Sequence, residues 1–263
     1  MGNIFRFFQG NEKQDSHYKE LVERRLPTRF MFSCGYHERF DPFMLDSKPF
    51  LVPVYERIFS RFFPGKSGSL LDVGCGTGLY WPVLVKYCDS IVGIDFSKAM
   101  ISEAQSLIEK KGLGNVEARV QNGEALDFPP ESFDAILCMD VLHHIPDIKS
   151  AVADFCRVLK PGGRVFAVEP NTFNPLIFLA HLIPPEERIA IKRNYAPVLS
   201  KLFSPYFKTL DVHYINFVAS AESEEQTKKV DRIGRLMSAV PFLRPFCLRQ
   251  AIIFEKRAGS NCA

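Results

Sequence analysis

Between Ser69 and Glu169, short apolar runs alternate with longer segments in which apolar residues recur every three or four positions. Side chains repeat with period 2 in a strand and 3.6 in a helix, so the short runs predict strands and the longer ones helices. The predicted strands are Ser69–Val73, Ser90–Asp95, Val116–Gln121, Asp134–Met139 and Arg164–Glu169. The predicted helices are Leu79–Cys88, Lys98–Lys111 and Lys149–Leu159. This alternation indicates a parallel sheet covered by helices on both faces.

Some helix ends carry recognisable signals. Ser97 is placed to cap the helix that starts at Lys98, and Gly112 can end it with a left-handed backbone. Pro82 lies in the first turn of the preceding helix, where a missing N–H costs little.

Proline interrupts the segments on either side of this alternation. Before it, Asp15–Leu26 has helical spacing, and Phe50–Phe63 predicts an amphipathic helix that ends at Pro64-Gly65. The elements predicted after it are the strands Leu210–Val218 and Arg249–Glu255, an exposed loop or helix over Ala221–Lys229, and the helix Arg232–Val240. We expect the two late strands to extend one edge of the sheet. Thr172–Phe207 and Glu222–Pro245 are expected to pack above its ligand-binding end.

The composition excludes several classes of function. The net charge of +3 over 263 residues is far from the basic stripe of a nucleic-acid binder, and no metal-ligand spacing occurs among the cysteines and histidines. Cys75, Cys88, Cys138 and Cys156 lie in apolar segments, which predicts buried, reduced thiols and a cytoplasmic protein without disulfides. The longest apolar run, Pro175–Ile183, is shorter than the roughly 20 residues of a membrane-spanning helix.

The stretch Leu70–Gly78 predicts a strand that runs into a glycine turn. Gly74, Gly76 and Gly78 have no Cβ, so a ligand can lie against the backbone, and the following helix N-terminus favours a negative group. Asp95 ends the second strand, where a carboxylate can accept hydrogen bonds from both ribose hydroxyls of an adenosine. Asp95 could also simply end a strand at a turn. The turn lacks the extra spacer of the dinucleotide fingerprint, and NAD and S-adenosylmethionine both remain open at this point.

Polar residues follow each of the five predicted core strands. They are Gly74–Gly78, Asp95, Asn122, Asp140 and Glu169. Ligands of such sheets bind beyond the carboxyl ends of the strands, so we expect these residues to share one site.

The order of these motifs resembles the class I S-adenosylmethionine-dependent methyltransferases, of the type of methyltransferase domains 11 and 25. The resemblance rests on Asp72 to Asp95, Asn122 to Pro129, Glu131 to Asp134, Leu142 to Ile145 and Arg157 to Gly163, and covers roughly residues 65–170. It implies an α/β fold with a Rossmann-like, doubly wound, mostly parallel sheet of seven strands, of which the last is antiparallel. The pattern along the chain divides it into four expected parts: a helical lead or lid over 1–67, a cofactor-binding core over 68–170, a substrate-binding cap over 171–208, and sheet-edge strands with a helical insertion over 209–263.

The same resemblance assigns cofactor-binding roles, with S-adenosylmethionine as the cofactor. The residues concerned are Asp72, Gly74, Cys75, Gly76, Gly78, Asp95, Phe96, Asn122, Gly123, Glu124 and Asp140. The glycines would line the methionine portion, Asp95 would hold the ribose, and Asn122 would meet the adenine amino group. Phe96 would pack on the adenine but could be a core residue, and Asp140 would lie beside the sulfonium but could cap a turn.

His143 and His144 are the catalytic candidates, because an imidazole there could accept a proton from the methyl acceptor. In the resembled family this segment also has structural roles, and that alternative stays open. Weaker candidates are Glu169, Tyr195 and His181.

The acceptor is inferred from the region that follows the core. Phenylalanines cluster in Phe173–Phe178 and Phe242–Phe246 among 24 in the chain. They predict a packed core, or else a small or lipid-like acceptor (a quinone precursor, or a polyprenyl- or lipid-linked glycan) with peripheral contact to a membrane. The favoured prediction is therefore a methyltransferase that acts on oxygen or carbon of such an acceptor. The alternatives are an accessory protein that binds the cofactor without catalysis and docks to a membrane enzyme, and an RNA methyltransferase, which the modest charge disfavours.

Overall fold

A computed structural model describes residues 37–182, 192–216, 223–260 and 262. The strands are β1 (Ser67–Val73), β2 (Cys88–Asp95), β3 (Val116–Val120), β4 (Phe133–Met139), β5 (Leu159–Pro170), β6 (Phe207–Ile215) and β7 (Arg249–Lys256). The α-helices are α1 (Met44–Ser47), α2 (Val52–Phe62), α3 (Trp81–Leu84), α4 (Lys98–Lys111), α5 (Ile148–Val158), α6 (Pro175–Leu182), α7 (Ala196–Phe203) and α8 (Glu224–Ala239). Short 3₁₀ helices cover His37–Phe40, Pro49–Leu51, Leu142–His144 and Arg244–Phe246.

The seven strands form one sheet in the order β3-β2-β1-β4-β5-β7-β6. β1 to β5 pair in parallel, and β7 pairs antiparallel with both β5 and β6. The predicted fold, a mostly parallel seven-stranded sheet whose last strand is antiparallel, is confirmed. The strand order reverses between β1 and β4, and this reversal opens a crevice at the carboxyl ends of the strands.

Both faces of the sheet are covered because its strands are apolar on both sides. Leu70 of β1 packs in a cluster with Phe59 of α2 and Leu107 of α4. Its neighbour Leu71 packs on the opposite face in a second cluster. This alternation follows from the two-residue period of a strand.

The packing of α7 differs from the expected position above the ligand end. Leu199 and Phe203 of α7 are buried in the same cluster as Phe155 of α5. The Phe203 ring stacks on Phe254 of β7 with 4.1 Å between centroids. The apolar side of α7 thus covers one face of the sheet, because β6 and β7 need a helix over that face as the inner strands do.

The predicted end signals are confirmed for α4. Ser97 Oγ accepts a hydrogen bond from the Met100 N–H, and Gly112 follows the helix with a φ of 61°. The prediction of a helix over Leu79–Cys88 is wrong in its second half: Cys88 belongs to β2, because the chain from Tyr87 onward bonds to the start of β1.

The segment before β7 forms one long helix. α8 starts at Glu224, capped by Ser223, and continues to Ala239, although its first half was predicted as an exposed loop or helix. Its polar residues suit an exposed helix as well as a loop. The predicted helical segment Asp15–Leu26 lies outside the described residues.

The cysteine prediction is partly wrong. Cys75, Cys88 and Cys138 are free and buried, as expected. Cys156 of α5, however, forms a disulfide with Cys262. The two residues are 106 positions apart, and the turn after β7 brings their Cα atoms to 5.7 Å. In the described part of the chain, no helix has the length and apolar character needed to cross a membrane.

Candidate active site

The three glycines of the turn after β1 have three different surroundings. A Cβ on Gly74 would lie 2.2 Å from Val141, and one on Gly78 would lie 2.3 Å from the Trp81 ring. A Cβ on Gly76 would meet nothing within 4 Å. All three have positive φ values, which glycine adopts without strain. Gly74 and Gly78 therefore permit close packing of the protein on itself, and Gly76 faces open space.

Asp95 links the end of β2 to this turn. Its Oδ2 accepts a hydrogen bond from the Gly76 N–H at 3.0 Å, and its Oδ1 accepts one from the Ser97 N–H at 2.9 Å. A carboxylate oxygen has two lone pairs, so each oxygen can accept a further hydrogen bond from a ligand. Asp95 and Phe96 both line the cavity at this edge of the sheet.

Asp72, one residue before the end of β1, is completely buried. Its Oδ1 accepts a hydrogen bond from the Tyr80 hydroxyl at 3.0 Å, and its Oδ2 accepts one from Trp81 Nε1 at 2.8 Å. Burial raises the pKa of Asp72 to about 7, although these hydrogen bonds act in the opposite direction. Asp72 thus ties β1 to the start of α3.

The raised pKa of Asp72 predicts a pH-dependent stability. Between the unfolded value of 3.8 and about 7, the folded protein holds a proton that the unfolded chain releases. The contribution of this proton to the stability of the folded protein is fully present below pH 3.8 and is lost as the pH rises to about 7. Between pH 5.5 and 8, the native protein should lose about 2 kcal/mol of its free energy of unfolding through Asp72, and the Asp72→Asn variant should not show this loss. Urea titrations at both pH values measure this difference.

The matched control for this prediction is Asp89→Asn, on the neighbouring strand β2. The Asp89 side chain is 64% exposed and pairs with Lys66. Its substitution should leave the pH dependence as in the native protein. An Asp72→Asn variant that follows the native pH dependence would contradict the assignment.

The loop after β3 contributes a row of polar groups. Asn122 Oδ1 accepts a hydrogen bond from the Glu124 N–H at 3.0 Å, and Glu124 Oε1 accepts one from the Asp147 N–H at 2.7 Å. Gln121 was not predicted, yet it lines the cavity. Its Oε1 is buried and has no hydrogen-bond partner within the described residues. Gln121 and Asn122 together offer acceptor oxygens to a ligand at this end.

The cavity brings together most of the predicted site residues. Those that line it are Gly74, Cys75, Gly76, Asp95, Phe96, Asn122, Gly123, Asp140 and His144. The other predicted residues (Asp72, Gly78, Glu124 and His143) lie behind this lining and hold it in place.

Asp140 follows β4 in a left-handed conformation, with a φ of 56°. Its carboxylate forms an ion pair with Arg249, the first residue of β7. Burial raises the pKa of Asp140, but the charges of Arg249 and Arg39 outweigh it and hold the pKa below its usual value. Arg39 and Tyr55 line the same end of the cavity. Burial raises the pKa of the Tyr55 hydroxyl, which therefore stays protonated.

Besides Gln121, the sequence analysis missed Arg39 and Arg249 as functional candidates. For Arg249 a signal existed: an antiparallel last strand begins at the edge where the parallel strands end. Arg39 lies in the irregular lead, where no periodic pattern places it at the site.

Glu169 of β5 is fully buried and accepts hydrogen bonds from several donors. Its Oε1 accepts them from the backbone N–H groups of Val141 and Leu142, at 3.0 and 2.8 Å. Its Oε2 accepts one from Asn194 Nδ2 at 3.0 Å and lies 2.6 Å from His143 Nδ1. Glu169 thus fixes the turn after β4 to β5.

The two histidines of this turn occupy different environments. His143 is buried, 3% exposed, and its ring faces Glu169. When His143 Nδ1 carries a ring proton, it donates a hydrogen bond to this carboxylate. His144 lines the cavity, with its ring centroid 4.0 Å from that of His143. Of the two predicted catalytic residues, His144 is the one in position to contact a ligand.

Residues 71–167 match the family model of the methyltransferase domain, and they contain nearly all of the cavity lining. This segment is therefore similar to methyltransferase domains, and the structures that share its fold include one described as an S-adenosylmethionine-dependent methyltransferase, from Aquifex aeolicus. The match covers β1 to β5, so the methyltransferase domain accounts for the glycine turn, Asp95 and the histidine turn. Residues before 71 and after 167, including Arg39, Tyr55 and Arg249, lie outside it.

Similarity to curated proteins is concentrated in this methyltransferase domain. An uncharacterized methyltransferase of Bacillus subtilis, YcgJ, is 37% identical over 100 residues, which are 38% of this chain and 40% of that protein. A ubiquinone biosynthesis O-methyltransferase of Coxiella burnetii is 36% identical over 114 residues, 43% of this chain and 48% of that protein. The matched segment thus spans less than half the length of each of these two relatives.

Solved structures share the fold over a longer part of the chain. The crystal structure of YcgJ has a TM-score of 0.57 at 22% identity, and covers 77% of this chain and 97% of its own. The N-methyltransferase NodS of Bradyrhizobium japonicum, solved with S-adenosyl-L-homocysteine, has a TM-score of 0.55 at 14% identity, over 83% of this chain and 92% of its own. At these identities the likeness concerns the fold.

The cavity of the methyltransferase domain fits S-adenosylmethionine in three respects. Open space next to Gly76 lets a ligand approach the backbone. The Asp95 carboxylate can accept from two hydroxyls, and the unsatisfied Gln121 Oε1 can accept from an amino group. Asp95, Gln121 and the Gly76 region would therefore hold the cofactor.

Proposed function

We propose that this protein transfers a methyl group from S-adenosylmethionine to an oxygen or carbon atom of a small or lipid-like acceptor. The observation that carries the proposal is that one cavity contains both the glycine turn with Asp95 and a second, polar end with His144, Asp140 and Tyr55. The first end suits the methyl donor, and the second suits an acceptor that must lose a proton.

S-adenosylmethionine, when bound, supplies a methyl carbon that is activated by the adjacent sulfonium. The protein then has to hold the acceptor in line and keep water out, and such positioning lowers barriers by about 7–11 kcal/mol in well-oriented systems. Asp140 and its neighbour Val141 both line the cavity. The Asp140–Arg249 ion pair and the Glu169 hydrogen bonds hold these two residues in place.

His144 is the proposed proton acceptor, and His143 its positioning residue. Glu169 fixes the ring of His143, which lies against the ring of His144. His144→Ala should lower the rate of methyl transfer by about 10²–10⁴-fold, the usual contribution of a general base. The same variant should bind S-adenosylmethionine as the native protein does, because Asp95 and the glycine turn are unchanged.

Incorporation of labelled methyl groups into a cell extract measures the rate of methyl transfer, and a thermal shift measures the binding of S-adenosylmethionine. His213→Ala is a matched control, because this histidine lies on β6 and pairs with Asp211 away from the cavity. Full activity of His144→Ala would assign the turn a purely structural role.

The acceptor is proposed to be lipid-like because of the surface around α6. Large apolar side chains are exposed there, among them Phe173 at 60% and Leu176 at 54%. A relative with a matching methyltransferase domain is named for ubiquinone biosynthesis. An amphiphilic acceptor, such as a quinone precursor or a polyprenyl- or lipid-linked glycan, would suit a polar cavity beside an apolar surface. The proposed location is the cytoplasm, with peripheral contact to a membrane.

A thermal shift with S-adenosylmethionine and with its demethylated product tests the function first. Folded protein that shifts with neither would overturn the enzyme proposal. Methyl label in the lipid fraction of an extract would support the acceptor class, and label confined to RNA would overturn it. Cofactor binding without any labelled product would instead favour an accessory protein.

A further inference from the structure

The helix α6 and Phe173, which precedes it, expose an apolar surface without charged side chains. The segment 171–182 contains no Asp, Glu, Lys or Arg. Leu176, Leu179 and Leu182 of α6 are 54%, 50% and 43% exposed, and Phe173 is 60% exposed. Large apolar side chains so close together on a surface are uncommon unless they contact something.

A second segment, Pro241–Phe246, joins this surface. The Phe173 and Phe246 rings lie 6.1 Å apart, and Asn174 Nδ2 donates to the Phe246 carbonyl. Asn171 Nδ2 donates to the Pro245 carbonyl at 2.6 Å. These bonds hold the 3₁₀ helix Arg244–Phe246 next to the start of α6, and Phe242, two residues before that helix, is 74% exposed. We call the surface formed by Phe173, Leu176, Leu179, Phe242 and Phe246 the apolar platform.

The border of the apolar platform carries positive charge. From position 232 to 249 the chain contains four arginines and no acidic residue. Arg249 pairs with Asp140 inside the site, and Arg235, which is 69% exposed, pairs with Asp231 on the same helix. Arg232 and Arg244 are exposed. The C-terminal half of α8 also exposes Ile233 and Leu236, between and beside these arginines. Apolar side chains alternate there with cations.

We propose that the apolar platform and these arginines bind the surface of an anionic lipid bilayer. Helices at such surfaces insert apolar side chains among the lipids and place arginines at the headgroups, where the anionic leaflet attracts them. A bilayer accommodates protruding side chains such as Phe242 without a matching cavity. The absence of acidic residues over 232–249 matches a negatively charged partner.

The apolar platform adjoins the site. His181 of α6 lies with its ring 5.9 Å from that of His143, and Asn194, which precedes α7, bonds to Glu169. A lipid-like acceptor could therefore reach the cavity from the bilayer that α6 contacts. This last step rests on the proposed function, whereas the binding of the bilayer does not.

Sedimentation with vesicles tests the proposal on the full chain, without cofactor. The protein should bind vesicles that contain phosphatidylglycerol, bind those of phosphatidylcholine alone at least tenfold more weakly, and dissociate as salt is raised. The triple variant Leu176→Ser, Leu179→Ser, Phe242→Ser should lose at least tenfold in binding. Arg232→Glu should weaken it by a similar factor.

Two matched controls distinguish binding through the apolar platform from nonspecific binding to vesicles. Val120→Ser removes an exposed apolar side chain at the far edge of the sheet, and Lys66→Glu reverses a charge at the amino ends of the strands. Both should bind vesicles as the native protein does. Unchanged binding by the triple variant, or no binding by the folded native protein, would overturn the proposal.

Self-association is the competing explanation of the apolar platform. The lipid proposal would be overturned if the native protein were a dimer that does not bind vesicles and the triple variant were a monomer. The apolar platform would then be the contact with a second copy of the chain. The thermal shift with S-adenosylmethionine is measured on the same variants. A retained shift with lost vesicle binding shows that the proposed function stands independently of the apolar platform.

Discussion

Asp95→Ala should abolish the thermal shift that S-adenosylmethionine produces. The proposed role of Asp95 is to accept two ribose hydroxyl hydrogen bonds, each worth about 1.5–3 kcal/mol to a charged acceptor. Their loss corresponds to a fall in affinity of about 10²–10⁴-fold. The carboxylate also accepts from Gly76 and Ser97, so the variant should lose some order in the glycine turn as well.

Asp89→Ala is the matched control for this prediction. It removes the same side chain from the same strand, β2, at its exposed opposite end. The control should retain the full thermal shift, and isothermal titration on both variants gives the affinities. An Asp95→Ala variant that binds the cofactor with native affinity would contradict the assigned role.

Glu169→Ala should destabilise the protein by at least about 3 kcal/mol, because it leaves buried donors without an acceptor at a cost of about 1–3 kcal/mol each. Four donors converge on this carboxylate: two backbone N–H groups, Asn194 and His143. Glu169→Gln should cost less, about 1–3 kcal/mol, because glutamine keeps one acceptor oxygen. Urea denaturation measures both losses.

The control is Glu255→Ala on β7. This glutamate is 34% exposed and pairs with Arg164 on β5, so its removal should cost no more than about 1 kcal/mol. If Glu169→Ala were as mild as the control, the hydrogen bonds of Glu169 would not hold the turn. Glu169→Gln should also lower the rate of methyl transfer while it keeps cofactor binding. The amide N–H of glutamine can donate to His143 Nδ1, and the proton of the neutral ring then lies on Nε2.

Local signals predicted the parts of the fold that depend on local chemistry. Ser97 and Gly112 mark the ends of α4 because a cap and a left-handed glycine act within one turn. Cys88 was misassigned because its strand conformation depends on pairing with Ser67, 21 positions away in the chain. The first half of α8 was left open between loop and helix because its polar residues are equally suited to both.

The site shows the same division. The sequence places Glu169, Asp140 and the histidine turn at one edge of the sheet, since each follows a strand. It does not indicate which side chains pair. The bond between Glu169 and His143, and the ion pair between Asp140 and Arg249, depend on strand order across the sheet. The disulfide between Cys156 and Cys262 depends on it too.

The position of β7 links the site to the outer part of the sheet. β7 follows β6 in the chain but lies between β5 and β6, so β6 has no place in the sheet until β7 has formed. Arg249 is the first residue of β7, and Asp140 acquires its ion-pair partner in the same step. The two outer strands and the charge balance beside the cavity therefore form one cooperative unit. Local opening of β7 would detach the sheet edge and break the ion pair between Asp140 and Arg249 at the same moment.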